Sequence, residues 1–306
     1  VVGCGKQEPA KSGASGGGAA KTGTTEQVAD GTDLTPGTQT AAVSGQTCTR
    51  QGPKVTGPIK IAVIPKGATH EFWKAMHAGA LKAEAELKDK DVEVVWKGPL
   101  RESDRSDQIN IVEDFITAKV NGIALAPLDD VALVRPMRDA VKAGISVVVR
   151  ESGVQADVCK DYASFVATDN YAGGCKGAQR LGAILGGKGK IIMLRYDVGS
   201  ASTEQREQGF LDTTKAKFPN VEIVSSDQRG GGTTETAFAK AEQLLNKYKD
   251  IQGIFTPNES TTFGMLRAVQ EAGIEGEVKF VGFDSSEKLI QALAEKHIHG
   301  LVVQNP

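Results

Sequence analysis

The chain has 306 residues and a formal net charge of −2, with 40% hydrophobic, 24% charged and only 5% aromatic residues. The near balance of 36 basic and 38 acidic side chains gives no charge excess that would draw the whole molecule to phosphate backbones or anionic lipid, so nucleic acid is not an expected partner. No run approaches the ~20 consecutive apolar residues needed to cross a bilayer, and the length allows about two domains of ordinary size.

Residues 1–58 contain no Phe, Trp or Tyr and are dominated by Gly, Ser, Ala, Thr and Lys, as in Ser15-Gly16-Gly17-Gly18. Such a segment cannot bury enough apolar surface to offset the ~1–2 kcal/mol per residue of backbone ordering. It is expected to be a flexible tether. The opening Val1-Val2-Gly3-Cys4 resembles the end of a bacterial lipoprotein signal, in which a small residue precedes the cysteine that is cleaved and lipidated. That resemblance implies a lipid anchor on Cys4; without it, Cys4 is an ordinary thiol. The four cysteines, Cys4, Cys48, Cys159 and Cys175, show no Cys-x-x-Cys and no Cys/His pairing at zinc spacing, so no metal site is expected. A disulfide between Cys48 and Cys159 suits an oxidising envelope, while Cys175, among small residues on a predicted helix, reads as a small buried apolar group.

From Ile59 the chain alternates short β-rich runs with amphipathic helical patterns. The predicted strands are Ile59 to Ile64, Val92 to Trp96, Ile123 to Ala126, Ile145 to Val149 and Ser164 to Ala167. They continue as Lys190 to Leu194, Glu222 to Ser226, Gly253 to Thr256, Lys279 to Phe283 and Gly300 to Val303. Trp73, Met76, Ala80, Ala83 and Leu87 recur at helical spacing, as do Val134, Met137 and Val141. Runs such as Ile191-Ile192-Met193-Leu194 are apolar on consecutive residues, as strands covered by helices on both faces are. The fold class is therefore α/β with parallel sheets, and ten strands fit two doubly wound, Rossmann-like lobes better than one wide sheet.

Open parallel sheets bind ligands beyond the carboxyl ends of their strands. Here those ends lead into Lys66-Gly67-Ala68-Thr69-His70-Glu71-Phe72-Trp73, Pro127-Leu128-Asp129-Asp130, Arg150-Glu151-Ser152 and Arg195-Tyr196-Asp197. Later ends lead into Ser226-Asp227-Gln228-Arg229, Pro257-Asn258-Glu259-Ser260, Phe283-Asp284-Ser285 and Gln304-Asn305. Planar carboxylates, amides and guanidinium groups can each contact two neighbouring hydroxyls, and an aromatic face can cover the C–H face of a sugar ring. This is carbohydrate or polyol chemistry. Enzyme motifs fail: there is no GxGxxG after the first strand and no GxSxG. The Gly182-to-Lys188 near miss for a phosphate loop is followed by Gly189 in place of Ser or Thr and sits between a helix and a strand. His70, His77, His297 and His299 lack HExxH spacing, His77 reads as packing one turn from Trp73, and no cofactor is expected. Glu151 and Asp284 form a conceivable hydrolytic pair, though nothing in the sequence sets their separation.

The strand-end clusters resemble the periplasmic sugar-binding proteins of ABC importers, ribose-binding type, over Ile59 to Pro306. The resemblance is carried by Ile61-Ala62-Val63-Ile64 with His70-Glu71-Phe72-Trp73, Phe165-Val166-Ala167-Thr168-Asp169-Asn170, Arg206-Glu207-Gln208-Gly209-Phe210, Pro257-Asn258-Glu259, Val281-Gly282-Phe283-Asp284 and Val303-Gln304. It implies two lobes, 59–167 and 168–303, that close by a hinge over one monosaccharide in the cleft between them. Residues 304–306 would begin a third hinge crossing, with the first lobe lacking its return segment and exposing an apolar face. Phe72 and Trp73 match the ring-sandwiching aromatics, and His70 stands where an amide usually contacts a hydroxyl. Arg206, Asn258, Asp284 and Gln304 match polar ligand contacts. Glu151 and Ser152 replace a frequent Asp-Arg pair, Ala126 replaces a frequent asparagine, and Arg229 stands near an expected aromatic. Lys66 and Arg150 add charge near the mouth and hint at an acidic or modified sugar.

The same residues have plainer readings: Trp73 as core, Asp284 as cap of a helix starting near Ser286, Asp169 or Asn170 as cap of the helix before Cys175, and Arg206 as an exposed ion-pair partner. The expected protein is a monomeric, non-enzymatic, lipid-anchored sugar receptor in the periplasm or on the outer face of the cytoplasmic membrane, delivering its ligand to an ABC permease. A receptor for a chemotaxis or two-component sensor differs only in partner. A sugar-responsive transcription regulator would need a basic helix-turn-helix before the first strand, and a sugar hydrolase would use Glu151 or Asp284.

Overall fold

The structure is a computed structural model that describes residues 57–305; the predicted tether up to residue 56, with Cys4 and Cys48, lies outside the described residues. The strands read from the sequence recur, three with the expected bounds and the others shifted by one or two residues at their ends. The first sheet contains β1 (Ile59–Ile64), β2 (Val92–Trp96), β3 (Gly122–Leu125), β4 (Ser146–Arg150) and β5 (Ser164–Val166), in the order β2-β1-β3-β4-β5. The second contains β6 (Lys188–Met193), β7 (Asn220–Ser225), β8 (Gly253–Phe255), β9 (Lys279–Phe283) and β10 (Gly300–Val302), in the order β10-β9-β8-β6-β7. Every strand pairing is parallel. Counted from its own first strand, the second sheet has the same order as the first, so the chain runs through one doubly wound plan twice. In each lobe the order reverses between the first and third strands, and the crevice at such a switch point is where open α/β sheets take ligands.

Helices α1 (Glu71–Glu86), α2 (Arg105–Thr117) and α3 (Val134–Lys142) serve the first sheet. Helices α4 (Asn170–Ile184), α5 (Ala201–Lys217), α6 (Thr234–Lys247), α7 (Glu259–Glu271) and α8 (Glu287–Ala294) serve the second. One face of the second sheet packs α4 and α5 through Ala178, Leu181 and Phe210 against Phe255 and Phe283. The other packs α6, α7 and α8 through Leu244, Met265, Val269 and Leu289. Burying each large apolar side chain here contributes ~1.5–3 kcal/mol. The core of the first lobe lies with α2 and α3, through Ile111, Phe115 and Met137. On α1 the apolar stripe is only half covered: Trp73 is buried, Met76, Ala80 and Leu87 are half-buried, and Ala83 is exposed.

Two glycines set the crossing of α4 on α5. A Cβ on Gly174 would lie 1.9 Å from the carbonyl oxygen of Arg206, and one on Gly209 would lie 2.1 Å from that of Tyr171. The backbones therefore touch, and the touching point fixes Arg206. Asp169 caps α4 by accepting the Ala172 amide at 2.9 Å. The chain passes from the first lobe to the second between β5 and α4 and leaves the second sheet after β10. Thr168 on the former passage donates to Gln304 Oε1 on the latter at 3.0 Å. Cys175 is buried on α4. Cys159 is disulfide-bonded, its partner lying outside the described residues. Among the described residues no helix is long and apolar enough to cross a membrane.

Candidate functional site

The carboxyl ends of both sheets line one cleft of about 310 Å³ of atom-free space, its mouth included. Lys66, His70, Phe72, Trp73 and Glu151 line it from the first lobe, and Arg206, Asn258, Asp284 and Gln304 from the second. The structure thus brings together nine of the ten side chains expected from the sequence.

Two carboxylates hold equivalent places in the repeated plan. Glu151 follows β4 and Asp284 follows β9, the fourth strand of each sheet. The Glu151 amide donates to Val166 O at 2.9 Å, and the Asp284 amide to Val302 O at 2.8 Å. Both residues adopt left-handed backbone, with φ of 63° and 69°. A non-glycine residue takes that conformation at a cost of about 1–3 kcal/mol, and such strain concentrates at functional sites. Both carboxylates flank Arg206, whose Nη2 is 3.7 Å from Glu151 Oε1 and whose Nη1 is 3.9 Å from Asp284 Oδ2.

Arg206 is 1% exposed, which excludes the reading as a surface ion-pair partner. Its Nε donates to Asn170 Oδ1 at 2.8 Å, its Nη1 to Pro257 O at 3.0 Å, and its guanidinium stands 4.1 Å from the centre of the Phe283 ring. Nη2 is buried without a hydrogen-bond partner, a donor suited to a ligand oxygen in the cleft. Asp284 accepts from Gln304 Nε2 at 2.6 Å and from the Glu259 amide at 2.9 Å. It does not cap α8; Ser286 does, through the Leu289 amide. Burial pushes the Asp284 carboxyl up, against the pull of Arg206, Gln304 and the Glu259 amide. Asn258 lines the cleft and also caps α7.

Lys66 is buried and reaches across the cleft. Its Nζ stands 2.9 Å from Glu151 Oε2, close enough for an ion pair though not aligned as a hydrogen bond, and donates to Ser200 and Ser202 hydroxyls at 3.1 and 3.0 Å. Two expectations are corrected here. Ser152 is buried but does not line the cleft; past the left-handed turn at Glu151 its hydroxyl accepts the Ser202 amide at 3.1 Å, a tie between lobes. Arg150 is not at the mouth: it does not line the cleft, and its guanidinium packs 5.9 Å from the Trp73 ring and 5.6 Å from the Trp96 ring. His77 stacks on Trp96 rather than on Trp73.

The loop after β2 contributes Glu102, which sequence reasoning missed. Its Oε1 accepts from His70 Nδ1 at 2.8 Å and Trp73 Nε1 at 2.5 Å, and its Oε2 accepts the Tyr196 hydroxyl of the other lobe at 2.5 Å. Trp73 is therefore both core and cleft wall. Burial works against the His70 imidazolium, but adjacent Glu102, aided by Glu259 and Asp284, outweighs it and pushes the group up to about 9. Burial would likewise raise the Glu102 carboxyl, yet His70, Lys66 and the Tyr196 hydroxyl hold it down at about 2. The pair is charged at neutral pH. Glu259 is a second missed residue: its carboxylate accepts the amides of Glu71 and Phe72, each at 3.2 Å, at the start of α1 in the other lobe. His70, the N-cap residue there, makes no side-chain cap bond. An acid just past an Asn cap was visible in the sequence; its partner 188 residues away was not. Among the described residues no cluster could hold a metal ion.

Two copies of one doubly wound lobe, facing a shared cleft of planar polar groups beside aromatic faces, define a bilobal small-molecule binding protein. The chain belongs to the periplasmic binding protein family, whose domain matches residues 61–306. It is 32% identical to the D-ribose/D-allose-binding protein of Pseudomonas aeruginosa over 249 residues, 78% of this chain and 75% of that one. It is 31% identical to the D-allose-binding periplasmic protein of Escherichia coli, over 80% of this chain and 79% of the relative. Among solved structures, a carbohydrate transporter solute binding protein from Agrobacterium radiobacter in complex with D-arabinose superposes with a TM-score of 0.76 at 32% identity, covering 82% of this chain and 84% of the other. These relatives bear out the resemblance to the ribose-binding type.

Proposed function

We propose that this protein captures one neutral monosaccharide in the cell envelope by closing its two lobes, 59–167 and 168–303, and hands it to an ABC permease, with no covalent step. The observation that carries this reading is the charge pairing of the cleft. Three cationic side chains, Lys66, His70 and Arg206, meet four acidic ones, Glu102, Glu151, Glu259 and Asp284. With Lys66 neutralised by Glu151, a sugar acid would meet no spare cation, so the hint of an acidic ligand is dropped in favour of an uncharged polyhydroxy ring. Glu151 and Asp284 both lie beside Arg206, which favours their use as hydroxyl acceptors over a proton-shuttling hydrolytic pair. The bound ring is covered by Phe72 and Trp73, which meet edge to face at 4.9 Å. D-ribose, D-allose and D-arabinose head the candidates because the relatives' names specify them. Closure is a population shift driven by a ligand that touches both lobes only when they meet. Lipid anchoring through Cys4 and action as a monomer complete the proposal.

A thermal-shift panel of pentoses, hexoses, polyols and sugar acids tests it. A ligand at ~100 times its dissociation constant stabilises by ~2.7 kcal/mol, which for a body of this size raises the midpoint by roughly 5–10 °C. A panel in which only sugar acids act, or nothing does, defeats the reading.

A further inference from the structure

Glu207 follows Arg206 on α5, is completely buried and does not line the cleft. Its Oε1 accepts the backbone amide of Tyr196 at 2.9 Å. Its Oε2 makes no hydrogen bond, and Arg195 Nη1 stands 3.5 Å away. The segment it grips, Arg195 to Ser202, supplies much of what the second lobe offers the first. From it come the Tyr196 hydroxyl to Glu102, the Gly199 carbonyl to the Asp130 amide at 2.8 Å, and the Ser200 and Ser202 hydroxyls to Lys66. On its other side the segment is held by the loop after β7: the Arg195 amide donates to Gln228 O at 2.9 Å, and Arg195 Nε to Ser226 O at 2.7 Å. The charged groups facing Glu207 are Arg195 on that segment, Arg229 on the loop after β7 and Glu204 on α5. Burial, resisted by the Tyr196 amide and the two arginines, pushes its carboxyl up to about 7.

We propose that Glu207 is a positioning residue for the cleft: its carboxylate sets the Arg195 to Ser202 segment so that Tyr196 and the two serines meet Glu102 and Lys66, and protonation loosens that grip. The inference rests on the sugar-binding reading above. Calorimetric titration of the 306-residue chain with D-allose and with D-ribose, from pH 5.5 to 8, tests it in wild type and Glu207→Gln. The glutamine keeps the size and the acceptor for the Tyr196 amide, so it tests charge rather than shape. Trading a charge-assisted hydrogen bond for a neutral one corresponds to about a fivefold change. Wild-type affinity is expected to fall by that factor as the pH drops from 8 to 5.5, and the variant to bind at every pH with the wild type's pH 5.5 affinity. In parallel, hydrogen-exchange protection of the Tyr196 amide without sugar, corrected for intrinsic rates, falls below pH 7 in wild type and stays flat in the variant. A variant that follows the wild-type pH curve in both readouts overturns the role of Glu207. Silence toward both sugars at every pH overturns the sugar reading instead, and the exchange readout still decides on Glu207.

Discussion

Replacing Tyr196 with phenylalanine removes a single hydroxyl from a side chain that is 1% exposed. That hydroxyl donates to Glu102 from the opposite lobe at 2.5 Å, and burial together with Glu102 pushes its titration well above the ordinary range, so it stays a donor. Glu102 retains His70 and Trp73 on Oε1, so its charge stays balanced, while Oε2 loses the hydroxyl that donates to it. The loss is the net worth of one hydrogen bond to a charged group, about 1.5–3 kcal/mol. Donor and acceptor sit on different lobes, so the loss falls on the closed form and appears in affinity, as a drop of about 10- to 150-fold. Calorimetric titration with the best sugar of the panel measures this, alongside a thermal melt without sugar, whose midpoint should barely move. Unchanged affinity combined with a lowered ligand-free midpoint would refute the assignment of this contact to closure.

Three other outcomes follow from the geometry. Arg206→Met keeps length and removes the guanidinium between Glu151 and Asp284; uncompensated buried charge costs about 3–5 kcal/mol, so the melt should fall by roughly 10 °C and sugar binding should vanish. A variant that still binds contradicts the site. Gly174→Ala drives a methyl into the Arg206 carbonyl, and overpacking of about 1–3 kcal/mol should appear in the melt together with weakened binding as Arg206 shifts. An unaltered melt would show that α4 and α5 have room to part. Glu207 titrates at about 7 in the fold against an ordinary 4.5. The folded state holds that proton more tightly, so the stability it contributes is complete below about pH 4.5 and is lost as the pH rises through 7, ~3 kcal/mol in all. Glu207→Gln should therefore melt above the wild type at pH 8 and level with it at pH 4.5; parallel melting curves against pH would refute this.

The repeat of strands was readable because both sheets are covered by helices, which writes runs like Ile191-Ile192-Met193-Leu194 into the sequence. Lys66, Glu151, Asn258 and Asp284 were readable because position past a strand end is a local property. Arg206 lies inside a helix, and only the family resemblance marked it; its burial depends on Gly174 and Gly209 bringing two backbones together, 35 positions apart in the chain. Glu102 was illegible for a similar reason. It sits six residues past β2 in a polar loop like any other, and its three partners are 29, 32 and 94 residues away. Ser152 was misplaced because only the first of the two adjacent side chains enters the cleft past the left-handed turn at Glu151, and no sequence rule predicts that conformation for a glutamate. Glu207 sat inside a matching segment, yet nothing in its neighbours announces that the residue after a cleft arginine is as fully buried as the arginine itself.

The start of α1 carries a consequence for ligand choice. Its N-cap residue His70 turns its side chain to Glu102 instead of to the helix, and the acceptors for the first amides come from Glu259 of the other lobe. When the lobes part, that first turn, which bears Phe72 and Trp73, loses its borrowed cap. That turn is thus completed in the act of closing, while Trp73 stays held by Glu102 of its own lobe, and the cost of ordering the turn is charged against every sugar before its hydroxyls are counted. A sugar with a broad apolar face recovers that cost by covering the two rings; one that presents only hydroxyls to them does not. Selectivity among chemically similar rings is therefore set partly by how a helix begins.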